Sequence, residues 1–258
     1  MLGNLSPLAK IESILAKIST TTIKFNTTLP VNIDVKEKLE PQKYLLQIGK
    51  KEMTTKSMID LEVGKQYWGV MKKDTKAKGV SLSQLLEKPH LLQGKKTLLP
   101  KMSLEKLEQI LTQEKPKEMM KFALLEKMAT ATSKQEFMSQ ANMLQALQEN
   151  VFTFVMAHGN KETLFQFKKR KSKNPKEEAA EDAKIDFYAA FENLGPIEGV
   201  VEVIDGVRKL SLYLYYENSL KFLEKELKSL DLEGFLYKKE GKISPLYEYG
   251  ESLLDVKG

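Results

Sequence analysis

The stretch that decides the fold is residues 193–216, which read NLGPIEGVVEVIDGVRKLSLYLYY. Two runs of alternating residues flank Asp205-Gly206, a dipeptide typical of a two-residue type I′ hairpin turn. Such a turn fixes the register, because residue numbers paired across the hairpin must then add to a constant. On one face the predicted pairs are apolar or glycine: Ile197 with Leu214, Gly199 with Leu212, and Val201 with Leu210. The other face pairs Glu202 with Lys209 and Glu198 with Tyr213, which predicts one core face and one solvent face.

The flanking sequence extends this hairpin into a strand, hairpin, helix, strand unit. Apolar residues alternate from Ile185 to Phe191 before it, and a leucine stripe at helical spacing follows over residues 219–230, with Asn218 as the predicted cap. The stripe comprises Leu220, Leu223, Leu227 and Leu230. Gly234 ends the helix, and residues 235–239 are predicted to form another strand. We expect the helix to cover the apolar hairpin face and to come closest at Gly199, which has no side chain to hold it off.

This unit resembles the C-terminal domain of flagellar hook-length control proteins. The resemblance rests on the Asn-Leu-Gly lead-in, the Val-Glu-Val strand, the amphipathic helix and the closing Leu-Glu-Gly. The positions that correspond to the family are Asn193, Leu194, Gly195, Ile197, Val201, Val203, Leu223, Leu227 and Gly234. The resemblance implies that these positions maintain the fold, and that exposed neighbours contact the export-gate component that switches substrate class.

Two kinds of departure separate the chain from the family. Pro196 directly follows the glycine, and lysine, as at Lys228, replaces the family's helix arginine. Family members also have a long, poorly ordered N-terminal ruler, whereas residues 1–150 here are patterned like folded elements. We therefore expect a short relative without a ruler that regulates flagellar assembly from the cytoplasm. Export of the chain through the flagellar type III apparatus stays open.

Composition supports a folded protein and excludes several chemistries. Hydrophobic residues make up 41% and charged residues 29% of the chain, and cysteine is absent, which removes disulfides and thiolate sites. No apolar run approaches the ~20 residues that span a bilayer, so no membrane insertion is predicted.

The net charge of +6 comes almost entirely from lysine, because Arg170 and Arg208 are the only arginines in the sequence. Lysine lacks the planar fork used to read bases, which disfavours nucleic acid as a partner.

Four regions are predicted along the chain. Residues 1–28 contain an amphipathic helix and a linker, residues 29–79 alternate like a small β-barrel, residues 80–150 are helical, and residues 151–258 form the hook-length-control-like α+β domain. Helix starts are predicted after Ser103, at Pro116 with Phe122, Leu125 and Met128 on its apolar stripe, and at Ser133 with a capping box to Glu136. The predicted class is α+β.

A nucleic-acid-binding module is the alternative function, and a scaffold that keeps the domain without a flagellar role is a third. If the chain is a nucleic-acid-binding module, the predicted barrel would stack bases on Tyr44, Tyr67 and Trp68, and the surplus of lysines would contact the phosphates.

The sequence offers no reason to propose an enzyme. His90 and His158 are far apart and fit no ligand pattern, and neither phosphate loop, dinucleotide fingerprint nor nucleophile elbow is found. We therefore predict no catalytic, cofactor-binding or metal-binding residues, and the expected activity is recognition of another protein.

Overall fold

We describe a computed structural model of the chain over residues 29–74, 79–93, 99, 101–103, 105, 109, 115–158, 161–170, 184–204, 207–229 and 234–248. The predicted helix within residues 1–28, the Asp205-Gly206 turn and most of the helix predicted after Ser103 lie outside these residues. The described residues form helices and two mostly antiparallel sheets, which confirms the α+β class.

The first sheet contains β1 (Val31–Glu40), β2 (Lys43–Ile48), β3 (Lys51–Lys56), β4 (Gln66–Asp74) and β5 (Gly79–Glu87). All neighbours are antiparallel, in the order β3-β2-β1-β4-β5. Closure would require β3 to pair with β5, and these two strands instead lie at opposite edges. The predicted barrel is therefore wrong, because alternation specifies which face of a strand is buried and does not specify closure.

Strand β5 occupies the start of the region that was predicted to be helical, residues 80–150. Its pairing with β4 shifts register between Trp68 and Val70, and Gln84 has a positive φ of 53°. Such an irregularity breaks the two-residue alternation by which a strand is recognised. Helices occupy only the later part of the region, as α1 (Pro116–Ala129) and α2 (Lys134–Gln148).

The two helix starts agree with the sequence signals. Pro116 is the first residue of α1, and the Ser133 hydroxyl accepts a 3.1 Å hydrogen bond from the Glu136 backbone amide at the start of α2. The Glu136 carboxylate accepts from the Thr132 amide at 3.1 Å rather than from Ser133. The N-terminus of α2 is thus capped from both directions.

The buried stripe of α1 differs from the predicted one. Phe122 is 69% exposed and Leu125 is also exposed, whereas Met120 and Leu124 are buried. Residues three or four apart lie on one helix face, and both sets satisfy that spacing. The helix pattern alone therefore could not distinguish the core face from the exposed face.

The second sheet contains β6 (Lys101–Met102), β7 (Val151–His158), β8 (Lys161–Lys169), β9 (Lys184–Phe191), β10 (Gly195–Ile204), β11 (Val207–Leu214) and β12 (Phe235–Lys238). Strands β7 to β11 form an antiparallel meander, and β6 and β12 add to its two edges in parallel. Helix α3 (Glu217–Ser229) connects β11 to β12, as a parallel neighbour requires. It begins one residue before the predicted cap, Asn218.

One face of the meander is a row of aromatic rings. Phe154 stacks on Phe165 and Phe167 with ring centroids 5.8 and 5.7 Å apart, and Phe191 meets Phe165 edge-on at 5.8 Å. These offset and edge-on contacts are the favourable geometries for aromatic pairs. Of these rings, Phe191 belongs to the run from Ile185 to Phe191 that was predicted to alternate.

The opposite face of the meander is covered by residues 242–248, which we call the C-terminal strap. Ile243 is buried, and the buried Gln166 side chain holds the strap by accepting a 3.2 Å hydrogen bond from the Tyr247 amide and donating a 2.8 Å bond to its carbonyl. Both faces of the central strands are therefore buried. No sequence pattern predicted the strap.

The two sheets pack against each other. The Trp68 indole N–H donates a 3.0 Å hydrogen bond to the Phe191 carbonyl, and the Tyr216 hydroxyl donates at 3.1 Å to the carbonyl of Gln84. Trp68 also belongs to the same buried cluster as the core of the second sheet. The part of the first sheet around Trp68, Val70 and Leu86 therefore shares the core of the second sheet. The rest of the first sheet has a separate buried cluster, which includes Ile33, Tyr44 and Leu46.

Candidate functional site

The hairpin, helix and strand from β10 to β12 form the module singled out by the sequence. Every predicted hairpin pair is observed, from Ile197 opposite Leu214 to Glu202 opposite Lys209, so the register prediction is confirmed. Strand β12 then lies parallel to β11, with Leu236 opposite Leu212. An ion pair on the helix exterior joins Lys228 to Glu224 at 3.0 Å.

The lead-in motif is explained by backbone geometry. Gly195 has a φ of +77°, and a Cβ added there would lie 2.5 Å from a ring carbon of Tyr216. Both the left-handed backbone and the ring contact require glycine. Leu194 is buried beside it, and Asn193 is half-buried.

The remaining motif positions hold the helix on the hairpin. Ile197, Leu223 and Leu227 are buried, Val201 is half-buried, and an added Cβ at Gly234 would lie 3.6 Å from Leu227 Cδ1. The side chain of Val203, the last of the predicted positions, is not among those described. The buried side chains of Ile197, Leu223 and Leu227 cannot reach a partner and therefore serve packing.

Gly199 has a different role from the predicted one. A Cβ at this position would lie 2.3 Å from Phe187 Cε1 and Cζ, so the ring of the neighbouring strand β9 lies across the glycine. The expectation that α3 makes its closest approach here is therefore wrong. The glycine is required by a cross-strand aromatic ring, which single-strand alternation does not reveal.

Exposed aromatic residues surround the outer edge of this module. Phe235 is 57% and Tyr237 44% exposed on β12, and the Tyr237 ring stacks on Tyr213 with centroids 5.1 Å apart. We call Tyr213, Phe235, Tyr237 and Lys238 the β12 edge surface. Within the described residues, no strand pairs with the outer side of β12. Its backbone groups are therefore placed to pair with an added strand.

A separate cavity lies where the end of β5 meets the C-terminal strap. Its volume is about 220 Å³, and its walls include Lys65, Trp68, Glu87, Lys88, Pro89, His90, Tyr188, Lys242, Ile243, Pro245 and Glu248. The cavity therefore lies between residues of both sheets. Such junctions are common places for small-molecule sites.

Lys88 is the most perturbed cation at this cavity. Its ammonium lies 5.6 Å from the centroid of the Trp68 ring, and desolvation lowers its pKa to about 8. The carboxylates of Glu192 and Asp34 oppose this shift without reversing it. Burial likewise raises the pKa of the Tyr188 phenol, with a smaller contribution from Glu248, so the phenol stays protonated.

Other candidate chemistry is sparse. Among the described residues, no group of three or more His, Asp or Glu side chains could hold a metal ion, and His90 is exposed at the cavity rim. Tyr44, Tyr67 and Trp68 are buried, so these rings offer no surface on which bases could stack. No helix in the described ranges is long and apolar enough to cross a membrane.

Comparison of the chain with family models, with curated proteins and with solved structures gives no match.

Proposed function

We propose that this chain is a non-enzymatic interaction protein of the flagellar hook-length control type. Its module from β10 to β12 would recognise the export-gate component that switches substrate class. The single observation that supports this most is the order of elements in that module: a hairpin in the register of Ile197 opposite Leu214, a leucine-striped helix and a parallel closing strand. The resemblance to the hook-length control family rests on the same residues.

The β12 edge surface is the part of the module best suited to hold a partner. The motif leucines are buried, whereas Phe235 and Tyr237 expose large apolar area beside an unpaired strand edge in the described fold. An extended partner segment that added beside β12 would gain backbone hydrogen bonds, and the two rings would supply selective contacts. Exposed aromatic residues are common interface hot spots, at about 2 kcal/mol or more each.

Deletion of the gene tests the flagellar role. We expect altered hook length and reduced swimming, restored by the wild-type gene, with hooks measured by electron microscopy. Hooks of normal length together with normal swimming would refute the flagellar proposal.

Two variants of exposed aromatic residues test whether the β12 edge surface binds the partner. Phe235→Ser should weaken binding of the full chain to the cytoplasmic domain of the export-gate component by at least about tenfold. Phe122→Ser is the matched control, because Phe122 is similarly exposed but lies on α1. Equal affinities of the two variants, measured by calorimetry, would place the contact elsewhere.

A further inference from the structure

Helix α1 has apolar side chains on two opposite sides. Met120 and Leu124 are buried in the cluster that forms the core of the second sheet. Three further apolar side chains of the helix are exposed: Met119, Phe122 and Leu125. A surface helix is ordinarily polar on its outer side, as α3 is, where ion pairs occupy the exterior. A helix that is apolar on both sides is suited to a second packing partner.

We call Met119, Phe122 and Leu125 the outer face of α1. These residues follow one another at intervals of three, so they form a continuous ridge along the helix. Phe122 is the most exposed of them, and it lies in the middle of the ridge. The ridge therefore offers a partner an elongated apolar surface, which suits another helix.

The charges along this ridge are acidic. Glu118 and Glu126 are exposed, one turn before and one turn after Phe122. The exposed lysines Lys121 and Lys127 lie at least about 100° around the helix axis from Phe122. A basic segment with an apolar stripe would therefore complement the outer face.

The N-terminal part of the chain, which lies outside the described residues, has these properties in its sequence. Residues 1–28 contain three lysines and one glutamate. Ser6 and Pro7 are the start signals of a helix, and an apolar stripe at helical spacing follows: Leu8, Ile11, Leu15 and Ile18. A helix over residues 7–18 would be about 18 Å long, close to the ~21 Å of α1.

Other stretches of the chain fit the outer face less well. Residues 104–114 and 249–258 also have apolar residues at helical spacing, but each contains more acidic than basic side chains. They would meet Glu118 and Glu126 with charge of the same sign. Residues 171–183 contain no large apolar side chain. Pattern and charge together therefore favour residues 7–18.

The chain also enters the described fold at a suitable place. Leu29 is buried in the same cluster as Met120 and Leu124, the inner residues of α1. Residues 19–28 can span up to about 33–36 Å when extended, which is longer than α1 itself. Because the segment is tethered to the same chain, its effective concentration at the outer face exceeds that of a free partner.

We propose that residues 7–18 form a helix that packs on the outer face of α1. The leucine and isoleucine stripe lies against the ridge, and the net positive charge of the segment complements the two glutamates. This docking is independent of the flagellar proposal, because the outer face of α1 is separate from the β12 edge surface. A partner that captured residues 7–18 would expose the outer face.

Single cysteines in the full chain, which has none of its own, test the docking. Ala129 is exposed on the outer side of α1, four residues after Leu125, and Lys127 is exposed on the other side of the same turn. The thiol of Ala129→Cys should react with a maleimide at least about fivefold more slowly than that of Lys127→Cys, because the docked segment covers it.

Two substitutions in the segment provide the matched comparison. Ile11→Asp places a charge in the apolar stripe and should raise the labelling rate of Ala129→Cys by at least about fivefold. Ser13→Asp introduces the same charge on the polar side and should leave that rate unchanged. Equal labelling rates with the two substitutions would overturn the proposal.

The same experiment identifies other occupants, each of which would also overturn the proposal. Protection that survives Ile11→Asp and is lost in Leu107→Asp would assign the outer face to residues 104–114. Protection that increases with protein concentration would assign it to a second copy of the chain. Fast labelling of Ala129→Cys in the absence of any other substitution would mean that nothing docks there.

Hydrogen exchange gives a reciprocal test from the α1 side. Amides of residues 11–18 should exchange at least about fivefold faster in Phe122→Ser than in the wild-type chain, because the variant loses the centre of the ridge. Met58→Ser is the control, since Met58 is exposed but lies after β3 in the first sheet, and it should leave the exchange unchanged. Exchange that is the same in all three proteins would refute the docking.

Discussion

The Trp68 indole N–H donates a hydrogen bond of 3.0 Å to the carbonyl oxygen of Phe191, and this bond joins the two sheets within the buried cluster to which both residues belong. The donor lies on β4 of the first sheet, and the acceptor is the last residue of β9. Since both groups are buried, the bond has no competition from water. A buried polar group that loses its partner costs about 1–3 kcal/mol.

Trp68→Phe should therefore destabilise the whole chain by at least about 2 kcal/mol, from the lost hydrogen bond and the smaller ring. Urea unfolding followed by circular dichroism measures the change. Tyr237→Phe is the control, because that hydroxyl is on an exposed ring and its loss should change stability by less than about 0.5 kcal/mol. Equal losses would mean that the indole bond does not join the sheets.

Gly195→Ala should destabilise the chain by about 3 kcal/mol or more. The left-handed backbone costs an alanine about 1–2 kcal/mol, and overlap with the Tyr216 ring adds to it. Gly49→Ala is a matched control, since Gly49 has a φ of +61° and no atom within 4 Å of an added Cβ. The Gly49→Ala variant should therefore lose only the stability that the left-handed backbone costs an alanine, about 1–2 kcal/mol. Thermal melts that give the same midpoint for both variants would contradict the ring contact.

Adjacent substitutions in β11 test the two faces of the hairpin. Leu212→Asp places a charge in the buried face and should cost more than about 4 kcal/mol or prevent folding. Ser211→Asp introduces the same group on the half-buried opposite face and should cost less than about 1.5 kcal/mol. Circular dichroism with thermal unfolding distinguishes the two. Tolerance of both would show that the alternation of faces is wrong.

The pKa of Lys88 predicts how stability depends on pH. In the folded chain the pKa is lowered from 10.5 to about 8, so between these values the unfolded chain binds more protons. The free energy of unfolding should therefore rise as pH increases through this range, by about 1–3 kcal/mol after allowance for solvent near the side chain.

The Lys88 contribution is measured as the difference in the free energy of unfolding between the wild-type chain and Lys88→Met. At about pH 7 the variant should be the more stable, and its advantage should shrink as pH approaches 10.5. A difference that stays constant with pH would show that Lys88 titrates normally.

Nucleic-acid binding should be weak and purely electrostatic. Tyr44, Tyr67 and Trp68 are buried, which leaves lysine contacts to phosphate without stacking. We expect fluorescence anisotropy with oligothymidine to show no saturable binding at about 0.15 M salt. Tight binding that persists as salt increases would restore the alternative function.

The hairpin was predictable to the residue because one turn sets every pair. Once Asp205-Gly206 is taken as a two-residue loop, the pairing of Ile197 with Leu214 follows arithmetically. The capped start of α2 at Ser133 was predictable for a similar reason, because the capping signal depends only on residues close together in the sequence.

Features that depend on distant parts of the chain were not predictable. The ring of Phe187 across Gly199, the open edge of β5 and the exposed side of α1 each depend on a neighbour supplied by the tertiary fold. The cavity is the extreme case, because Trp68, Lys88 and Tyr188 come from three separate strands or strand ends. Its only sequence signal was the single tryptophan, which was assigned to a barrel.

The topology of the second sheet has a consequence for the order of folding. Strands β7 to β11 pair with their sequence neighbours, so their loops close at small entropic cost. The strap pairs Tyr247 with Gln166 across 81 residues, so its closure is far more costly. We expect the meander to nucleate folding and the strap to dock last. In native-state hydrogen exchange the Tyr247 amide should then open well before amides at the centre of β9, which makes the strap the first part of the core to be released.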